Sequence, residues 1–327
     1  MSGSRSETPA EVLPPAPPRQ PIRALPNGKA KPTMSTAELT EAPKLGPLYL
    51  KAAATAPLRR GDPAGAELPG TEYVRSDVPV GSDHLAEYNR ICGFGTRDEL
   101  PLTYPHITSF PLAVRLMTDR DFPFPLVGLV HVANSITRHE PLLMTDTLTQ
   151  RVRLTGPRPH PKGTQFDVVT ETGVGERTVW TETSTYLHRG PKNDSAPRQE
   201  DIAELEAGQP TASWKLPGDL GRRYAAVSGD RNPIHLHPLT AKAFGFPRTI
   251  AHGMWSAARC LAAFEGRLPT ACTVDVEFAK PVLLPSRVEF TEGGAPDSAE
   301  KSFALHSTTG KTHLRGRIRR NDTENTA

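Results

Sequence analysis

Three features are scarce or absent in this 327-residue sequence, and each absence excludes a class of protein. There are only three cysteines, Cys92, Cys260 and Cys272. This odd, scattered set argues against a disulfide framework and for a reducing compartment. No run approaches the roughly 20 apolar residues of a membrane span, and the N-terminal MSGSRSETPAEV lacks the apolar core of a secretory signal. We therefore expect a cytoplasmic protein without a membrane partner.

A strong charge of either sign is also missing. The 39 Lys and Arg residues against 36 Asp and Glu residues give a net charge of +3. Nucleic-acid binders usually carry a basic stripe or patch, so this balance argues against a nucleic-acid partner. No glycine-rich dinucleotide fingerprint follows a predicted strand, which argues against NAD and FAD. We expect no cofactor.

The first 45 residues are rich in Pro, Ser, Thr and charged residues. Such a composition buries too little apolar surface to offset the entropy of ordering, so we predict a disordered tail over residues 1–45. Met34 lies inside this tail and opens a segment that resembles a natural start of translation. A second disordered tail is predicted over residues 321–327.

The remaining chain divides at a linker-like stretch, GPKNDSAPR, which begins at Gly190. We place one repeat at residues 46–189, a linker at 190–212 and a second repeat at 213–320, each repeat having the size of an ordinary domain. In each repeat we read a helical segment first and strand-like runs after it. Runs such as TVDVEF, at residues 273–278, alternate apolar and polar residues as half-buried strands do.

The two repeats also line up with each other, which favours an internal duplication. YNRICG, at residues 88–93, corresponds to YAAVSG at 224–229, and HEPLL, at 139–143, corresponds to AKPVL at 279–283. Identity is slight, but the order of the elements is the same in both halves. The predicted fold class is α+β, with two similar halves.

The most informative segment is YAAVSGDRNPIHLHP, which begins at Tyr224. We expect a helix capped by Asp219 to end at Gly229 in the left-handed conformation, so that Asp230 begins a loop. Pro233 stiffens this loop and removes a hydrogen-bond donor. The loop ends where a second short helix begins, with Pro238 as its first residue and Gly245 closing it.

Asp230 and His235 therefore lie on one short, restrained loop. Adding water to a double bond needs a base for the water and an acid for the neighbouring carbon. Histidine titrates near neutrality, and a carboxylate can orient a water or share its proton. A lone Asp and His five residues apart would more often be a backbone cap and a packed ring, so this pair needs a second feature beside it.

That second feature is IAHGM at residues 250–254, ahead of an apolar helix predicted from Trp255 to Phe264. Gly253 lies in the first turn of this helix, where free N–H groups and the positive end of the helix dipole meet. Such a donor can hold a thioester carbonyl as it becomes enolate-like. Tight packing is an equally good explanation for a glycine at this position.

The composite motif SGDRNPIH, AFGF and IAHGM, within residues 228–254, resembles the signature of MaoC-type (R)-specific enoyl-thioester hydratases and dehydratases. LPLTYPH, DFPFPLVGLVH and FAKPVLLP are similar to the mycobacterial 3-hydroxyacyl-thioester dehydratases of type II fatty-acid synthesis. The resemblance covers residues 47 to 318 and implies a double hot-dog fold. In that fold each repeat wraps an antiparallel sheet around a long central helix, and only the C-terminal repeat keeps the catalytic loop.

The resemblance also implies roles for individual residues. Asp230 and His235 match the pair that holds the reacting water, Asn232 matches the asparagine that supports the loop, and Gly253 matches the position whose backbone N–H binds the thioester oxygen. His252 is expected to be structural.

The first repeat departs from the family pattern. Phe94 and Glu99 stand where Asp230 and His235 would align, so we expect this half to do no chemistry and to shape a tunnel for the acyl chain. The implied function is a hydro-lyase that interconverts (R)-3-hydroxyacyl and trans-2-enoyl thioesters of coenzyme A or acyl carrier protein. A homodimer of the double hot-dog is one assembly that the resemblance allows.

Three other hypotheses remain open beside the hydro-lyase. One is a non-catalytic acyl-thioester-binding protein of this fold, which would have no need of both Asp230 and His235. Another is a hot-dog thioesterase, which would place a carboxylate on the long helix, where only Glu265 stands at the far end. The third is a zinc site formed by Asp230, His235, His237 and His252, but the spacing matches no usual zinc pattern, so we expect no metal.

Overall fold

The chain is described here as a computed structural model, and the described residues are 35–59, 67–197, 202–203, 205, 209–295 and 298–321. Most of the predicted tail over 1–45, Met34 as an alternative start, parts of the predicted linker and residues 322–327 lie outside these ranges. Where the tail is described, the disorder prediction is wrong. A strand over Ser35–Glu38 pairs with a neighbouring strand, and a helix begins at Leu45 and buries Leu48.

The described residues form seven α-helices and eleven strands. The helices are α1 (Leu45–Thr55), α2 (Ser82–Cys92), α3 (Tyr104–Met117), α4 (Leu220–Ser228), α5 (Pro233–Leu236), α6 (Pro238–Ala243) and α7 (Gly253–Ala262). The strands are β1 (Ser35–Glu38), β2 (Thr71–Pro79), β3 (Leu129–Arg138), β4 (Thr147–His160), β5 (Gly163–Val174), β6 (Arg177–Arg189), β7 (Ala212–Leu216), β8 (Cys272–Phe278), β9 (Ser286–Gly293), β10 (Glu300–Ser307) and β11 (Thr312–Arg320).

All of these strands belong to one sheet, in the order β1-β2-β4-β5-β6-β3-β8-β11-β10-β9-β7. Every neighbouring pair is antiparallel except β1 and β2. Apart from β1, each half has the same strand order counted from its outer edge: first, third, fourth, fifth, second. The two second strands, β3 and β8, pair with each other and join the halves. This repeated order supports the predicted duplication, although the repeated pattern begins with a strand, β2 or β7, and not with a helix; α1 lies ahead of β2 in the N-terminal half.

The sheet packs around two central helices, α3 and α7. Eleven of the fourteen residues of α3 are buried, and α7 buries residues on nearly every face, including Trp255 and Cys260. A helix that is apolar on all sides is one surrounded by core. The alternation predicted for β8 is confirmed, because Val274 and Val276 face this core. No helix of the described residues combines the length and hydrophobicity of a membrane span.

Candidate active site

The loop that carries Asp230 follows α4, which ends as predicted at Gly229 with a φ of 73°. The left-handed backbone favours glycine here, and a Cβ would in addition lie 2.3 Å from Leu45 Cδ1 of α1, so a larger residue would displace that side chain. The predicted cap at the other end of α4 is only partly right. Asp219 occupies the N-cap position, but its side chain makes no hydrogen bond to the helix.

The short helix α5, which the sequence did not predict, organises the loop. Its N-cap is Asn232, whose side-chain oxygen accepts the N–H of Ile234 at 3.5 Å, and Pro233 is its first residue. The backbone N–H of Asn232 donates to Asp230 Oδ1 at 3.1 Å. Asn232 thus caps α5 with its side chain and contacts the Asp230 carboxylate through its backbone, and its supporting role stays a prediction.

His235 is buried at the end of this loop with a defined tautomer. Its Nδ1 lies 2.8 Å from the carbonyl oxygen of Ile250. A carbonyl can only accept, so Nδ1 carries the proton and Nε2 of the neutral ring is unprotonated. Burial lowers the pKa of His235, against the opposing effects of Asp230 and the bond to Ile250. At neutral pH His235 therefore presents a proton acceptor.

The Asp230 carboxylate stays ionised next to this ring. Burial by itself would raise the pKa of Asp230, but His252, His235, the N–H of Asn232 and His106 together lower it below its usual value. The side chain keeps 30% of its surface exposed. The loop therefore holds one carboxylate and one neutral imidazole, both of which can accept a proton.

His252, expected to be structural, is also part of this cluster. It is the N-cap residue of α7, and its ring stacks on that of His235 with centroids 3.7 Å apart. Its Nε2–H donates to the carbonyl oxygen of Asp230 at 2.9 Å and lies 3.8 Å from Oδ2. Burial lowers the pKa of His252 to about 3. This neutral ring thus ties the start of α7 to the loop of Asp230.

Gly253 is the first residue of α7, where backbone N–H groups have no partner within the helix. A Cβ here would lie 3.1–3.2 Å from three atoms of the Phe278 ring. Close packing against Phe278 therefore accounts for the missing side chain. The binding role of the Gly253 N–H is a separate prediction, which this contact leaves open.

Asp230, His235 and His252 place ligand atoms within 4.8 Å of one another, which is close enough for a metal ion. However, His235 Nδ1 and His252 Nε2 are both engaged by backbone carbonyls. His237, the fourth group of the zinc hypothesis, bonds the N–H of Leu239 through its Nδ1. The absence of a metal stays a prediction.

Phe94, Glu99 and Glu265 lie away from this cluster. Glu99 forms an ion pair with Arg138, a buried residue that also donates to the carbonyl oxygens of Pro269 and Thr270. Phe94 stacks against Tyr88. Glu265 lies beyond the end of α7 and accepts the N–H of Gly95 at 2.9 Å. None of the three lines the cavity described next.

A cavity of about 380 Å³ adjoins the Asp230 loop and is lined by both halves of the chain. The C-terminal half contributes Asp230, His235 and Gly253. The N-terminal half contributes one face of α3, at His106, Phe110 and Met117, together with apolar residues between α3 and β3. The cavity therefore has a polar end at the loop and an apolar wall.

Two groups in this wall had not been singled out from the sequence. Tyr49 of α1 donates from its hydroxyl to Asp230 Oδ1 at 3.4 Å and accepts the N–H of Arg231 at 3.1 Å. His106 of α3 pairs with Glu182 of β6. Glu182 could have been noticed in the sequence. It lies two residues after Trp180 on β6, so both side chains face the core, and a carboxylate facing a core needs a partner.

Comparison with known proteins identifies the family. Residues 205–302 match the MaoC-like domain. The 3-hydroxyacyl-thioester dehydratase X of Mycobacterium tuberculosis is 39% identical over 225 residues, which cover 68% of this chain and 80% of that protein. The chain belongs to the MaoC-like dehydratase family. This membership supports a dehydratase or hydratase activity.

Solved structures of MaoC-like and related proteins agree with this assignment. The crystal structure of HtdX of Mycobacterium tuberculosis matches with a TM-score of 0.68 and 36% identity, over 76% of this chain and all of that one. A MaoC-like dehydratase of Phytophthora capsici gives a TM-score of 0.63 at 18% identity, over 78% and 96% of the two chains. A protein of Mycobacterium tuberculosis described as a double hot-dog gives 0.50 at 12% identity, over 80% and 98%. The predicted α+β double hot-dog fold is confirmed.

Proposed function

We propose that this MaoC-like chain hydrates trans-2-enoyl thioesters to (R)-3-hydroxyacyl thioesters, reversibly, with coenzyme A or acyl carrier protein as the thiol. One observation carries the proposal. A neutral His235 with unprotonated Nε2 and an ionised Asp230 lie on one rigid loop, at the polar end of a cavity with an apolar wall. The name of the 39% identical relative, a 3-hydroxyacyl-thioester dehydratase, supports the same reaction class.

In the proposed mechanism Asp230 and His235 hold one water between them. One of the two accepts a proton from the water, whose hydroxyl adds to Cβ of the enoyl group. The electron pair of the double bond moves to Cα, and the same proton is returned there. The pair ends in its starting protonation state, so the reaction runs in either direction and its equilibrium is set by the substrates.

The Gly253 N–H is the proposed donor to the thioester oxygen. Negative charge builds up on this oxygen as the hydroxyl adds to Cβ, and a helix N-terminus stabilises such charge. Because Asp230 and His235 share one loop, they approach the enoyl group from one side, so hydroxyl and proton arrive on one face. The (R) configuration of the product rests on the family likeness.

The two halves have different parts in this proposal. Residues 213–320 carry the catalytic loop, and residues 46–189 supply the apolar wall for the acyl chain. Phe110 and Met117, which lie two turns apart on α3, line the cavity along one face of that helix. An acyl chain entering past Asp230 would run along this face.

The test is hydration of trans-2-enoyl-CoA esters of increasing chain length, followed by loss of ultraviolet absorbance. Folded His235→Ala enzyme serves as the control and is expected to lose nearly all turnover. The product from crotonyl-CoA is then offered to an (S)-specific 3-hydroxyacyl-CoA dehydrogenase. Consumption of the double bond without NADH formation supports the proposal, and rapid NADH formation would refute the (R) assignment.

Two companion measurements, of thiol release and of ligand binding, separate the alternatives. A thioesterase would release free thiol from a saturated acyl-CoA, and a binding protein would hold the enoyl ester unchanged. The thioesterase hypothesis lacks its expected carboxylate on α7, because Glu265 is outside this helix and bonded to Gly95.

A further inference from the structure

An ion pair between His106 and Glu182 is buried in the N-terminal half, which was expected to do no chemistry. His106 Nδ1 lies 2.8 and 3.0 Å from the two carboxylate oxygens, and the side chains are 10% and 2% exposed. Asn134 donates to the same carboxylate at 2.6 Å. Placing two charges in a core is costly, and a hydrophobic pair is often as stable, so such a pair deserves a functional explanation.

The pair is placed at the catalytic loop. His106 is in the first turn of α3 and lines the cavity that Asp230 also lines. Phe110 Cδ1, one helical turn later, would lie 4.0 Å from a Cβ at Gly229, so this end of α3 packs beside the loop. Each half thus places a histidine at the start of its central helix, His106 in α3 and His252 at α7.

Several titratable groups face Asp230 or His106 from the elements around them. They are Tyr49 of α1, His131 of β3, Glu182 and Tyr186 of β6, Tyr224 of α4, His235 of α5 and His252 at α7, with Arg189, Lys280 and His313 elsewhere on the cavity wall. Burial lowers the pKa values of His235, His252 and His131, so these rings are neutral at neutral pH.

His106 differs from the other imidazoles. Burial would lower its pKa, but the contact with Glu182 raises it above the usual value, and Asp230 adds to this effect. Burial would raise the pKa of Glu182, but His106 and Asn134 lower it. Among His106, His131, His235 and His252, His106 is therefore the one whose surroundings favour the protonated ring.

We propose that His106, anchored by Glu182, is a positioning residue of the catalytic centre, whose positive charge keeps Asp230 ionised in a buried site. The inference rests on the proposed function, in which an ionised Asp230 and His235 hold the reacting water. The positive charge of His106 matters more when substrate binds, because the acyl thioester expels water from the exposed part of Asp230. A fixed charge in the wall remains when that water has left.

The test compares three variants that treat the charge differently. His106→Gln removes it, Glu182→Gln removes the anchor that keeps it, and His106→Lys retains a cation. We expect the acidic limb of the kcat profile to move upward by about one pH unit in the two Gln variants, because an opposite charge nearby lowers a carboxyl pKa by roughly 1–3 units. On the acidic side of the profile, a shift of one pH unit lowers kcat about tenfold relative to the natural enzyme. The acidic limb of His106→Lys should coincide with that of the natural enzyme.

Asp167→Asn is the matched control. It breaks an ion pair with Arg158 in the same half, and Asp167 does not line the cavity. We expect this variant to lose some stability with no change in the profile. The kcat profile reports the substrate complex and kcat/KM the free enzyme, so the shift should be larger in kcat. An unmoved limb in both Gln variants, or a His106→Lys limb that moves as far as theirs, would overturn the inference.

A second readout needs no turnover. The Asp230 carboxyl, labelled with carbon-13 and assigned by its loss in Asp230→Asn, can be titrated by NMR in the natural chain and in His106→Gln. A pKa of Asp230 that rises in the variant supports the inference even if no enoyl thioester is hydrated, in which case only the proposed function has failed. An unchanged Asp230 pKa overturns the inference whatever the activity.

Discussion

Replacing Gly253 with alanine separates a binding role of the α7 N-terminus from a packing role. The added Cβ would meet the Phe278 ring at 3.1–3.2 Å, which is about 0.3–0.9 Å inside the best carbon–carbon separation. The backbone here is helical, so alanine itself is unstrained. Forcing a methyl group into a packed site typically costs about 1–3 kcal/mol.

Relief of this clash must move either the ring or the start of α7, and the second movement displaces the Gly253 N–H. Losing an oxyanion donor completely lowers kcat by roughly 10²–10³. For a partial displacement we expect Gly253→Ala to lower kcat by about ten- to a hundredfold. The smaller side chain of Phe278→Leu should make room, so the double variant should recover to about the kcat of Phe278→Leu alone.

The assay is steady-state hydration of crotonyl-CoA, with the melting temperature of each variant measured beside it. Full kcat in Gly253→Ala, with a lowered melting temperature, would show that the ring moves and that the N–H position is insensitive. A double variant as slow as Gly253→Ala, although folded, would refute the clash with Phe278 as the cause.

Four further outcomes follow from the site. Asp230→Asn and His235→Gln should each lower kcat by roughly two to four orders of magnitude, and the double variant should be little worse; additive losses would contradict a shared water. Tyr49→Phe should cost only a few-fold in kcat at constant melting temperature, and a loss as large as that of Asp230→Asn would make its hydroxyl catalytic. Glu99→Ala should keep kcat but lower the melting temperature, since it leaves a buried arginine unpaired; reduced kcat would place it in the site. The pKa of His252 is about 3 in the folded chain, against 6.5 ordinarily. Its contribution to the free energy of unfolding is therefore complete above pH 6.5 and falls by about 1.4 kcal/mol for each pH unit below that value. Equal urea midpoints at pH 7 and pH 5 would contradict this.

The geometry of the Asp230 loop could be predicted because its determinants are local. Gly229 ends α4 and Pro238 opens α6, which leaves Asp230 and His235 a few residues apart on a restrained segment. The short helix α5 escaped prediction, because one turn of four residues carries no periodic pattern.

The groups that surround the loop depend on long-range contacts, and the sequence did not reveal them. Tyr49 is 181 residues from Asp230, and His106 is 76 residues from Glu182. A sequence motif contains residues that are close together in the chain, whereas these contacts join residues from distant segments. The prediction that the N-terminal half shapes a tunnel followed from its missing loop and stays a prediction, and it did not include the buried pair of His106 and Glu182.

The disorder prediction failed at residues 35–45 for a related reason. Composition measures whether a segment can bury apolar surface of its own, and Ser35–Glu38 buries little. This strand is held by backbone pairing to β2, which any sequence without proline can make. The strands of both halves were predictable, because alternation is a local property, while their joining into one sheet through β3 and β8 was not.

That joint between the halves has a consequence for biosynthesis. Ile136 of β3 pairs with Val274 of β8, so the ribosome must add a long stretch of chain before β3 gains its second neighbour. Until then the nascent N-terminal half presents an open edge, and such edges template pairing with other chains. We expect an isolated N-terminal half to self-associate through β3 in size-exclusion chromatography, and charged substitutions along that edge to keep it monomeric. Because both halves are made as one polypeptide, β8 meets the edge of β3 at a high effective concentration. It can therefore pair with β3 before a chain from a neighbouring ribosome does.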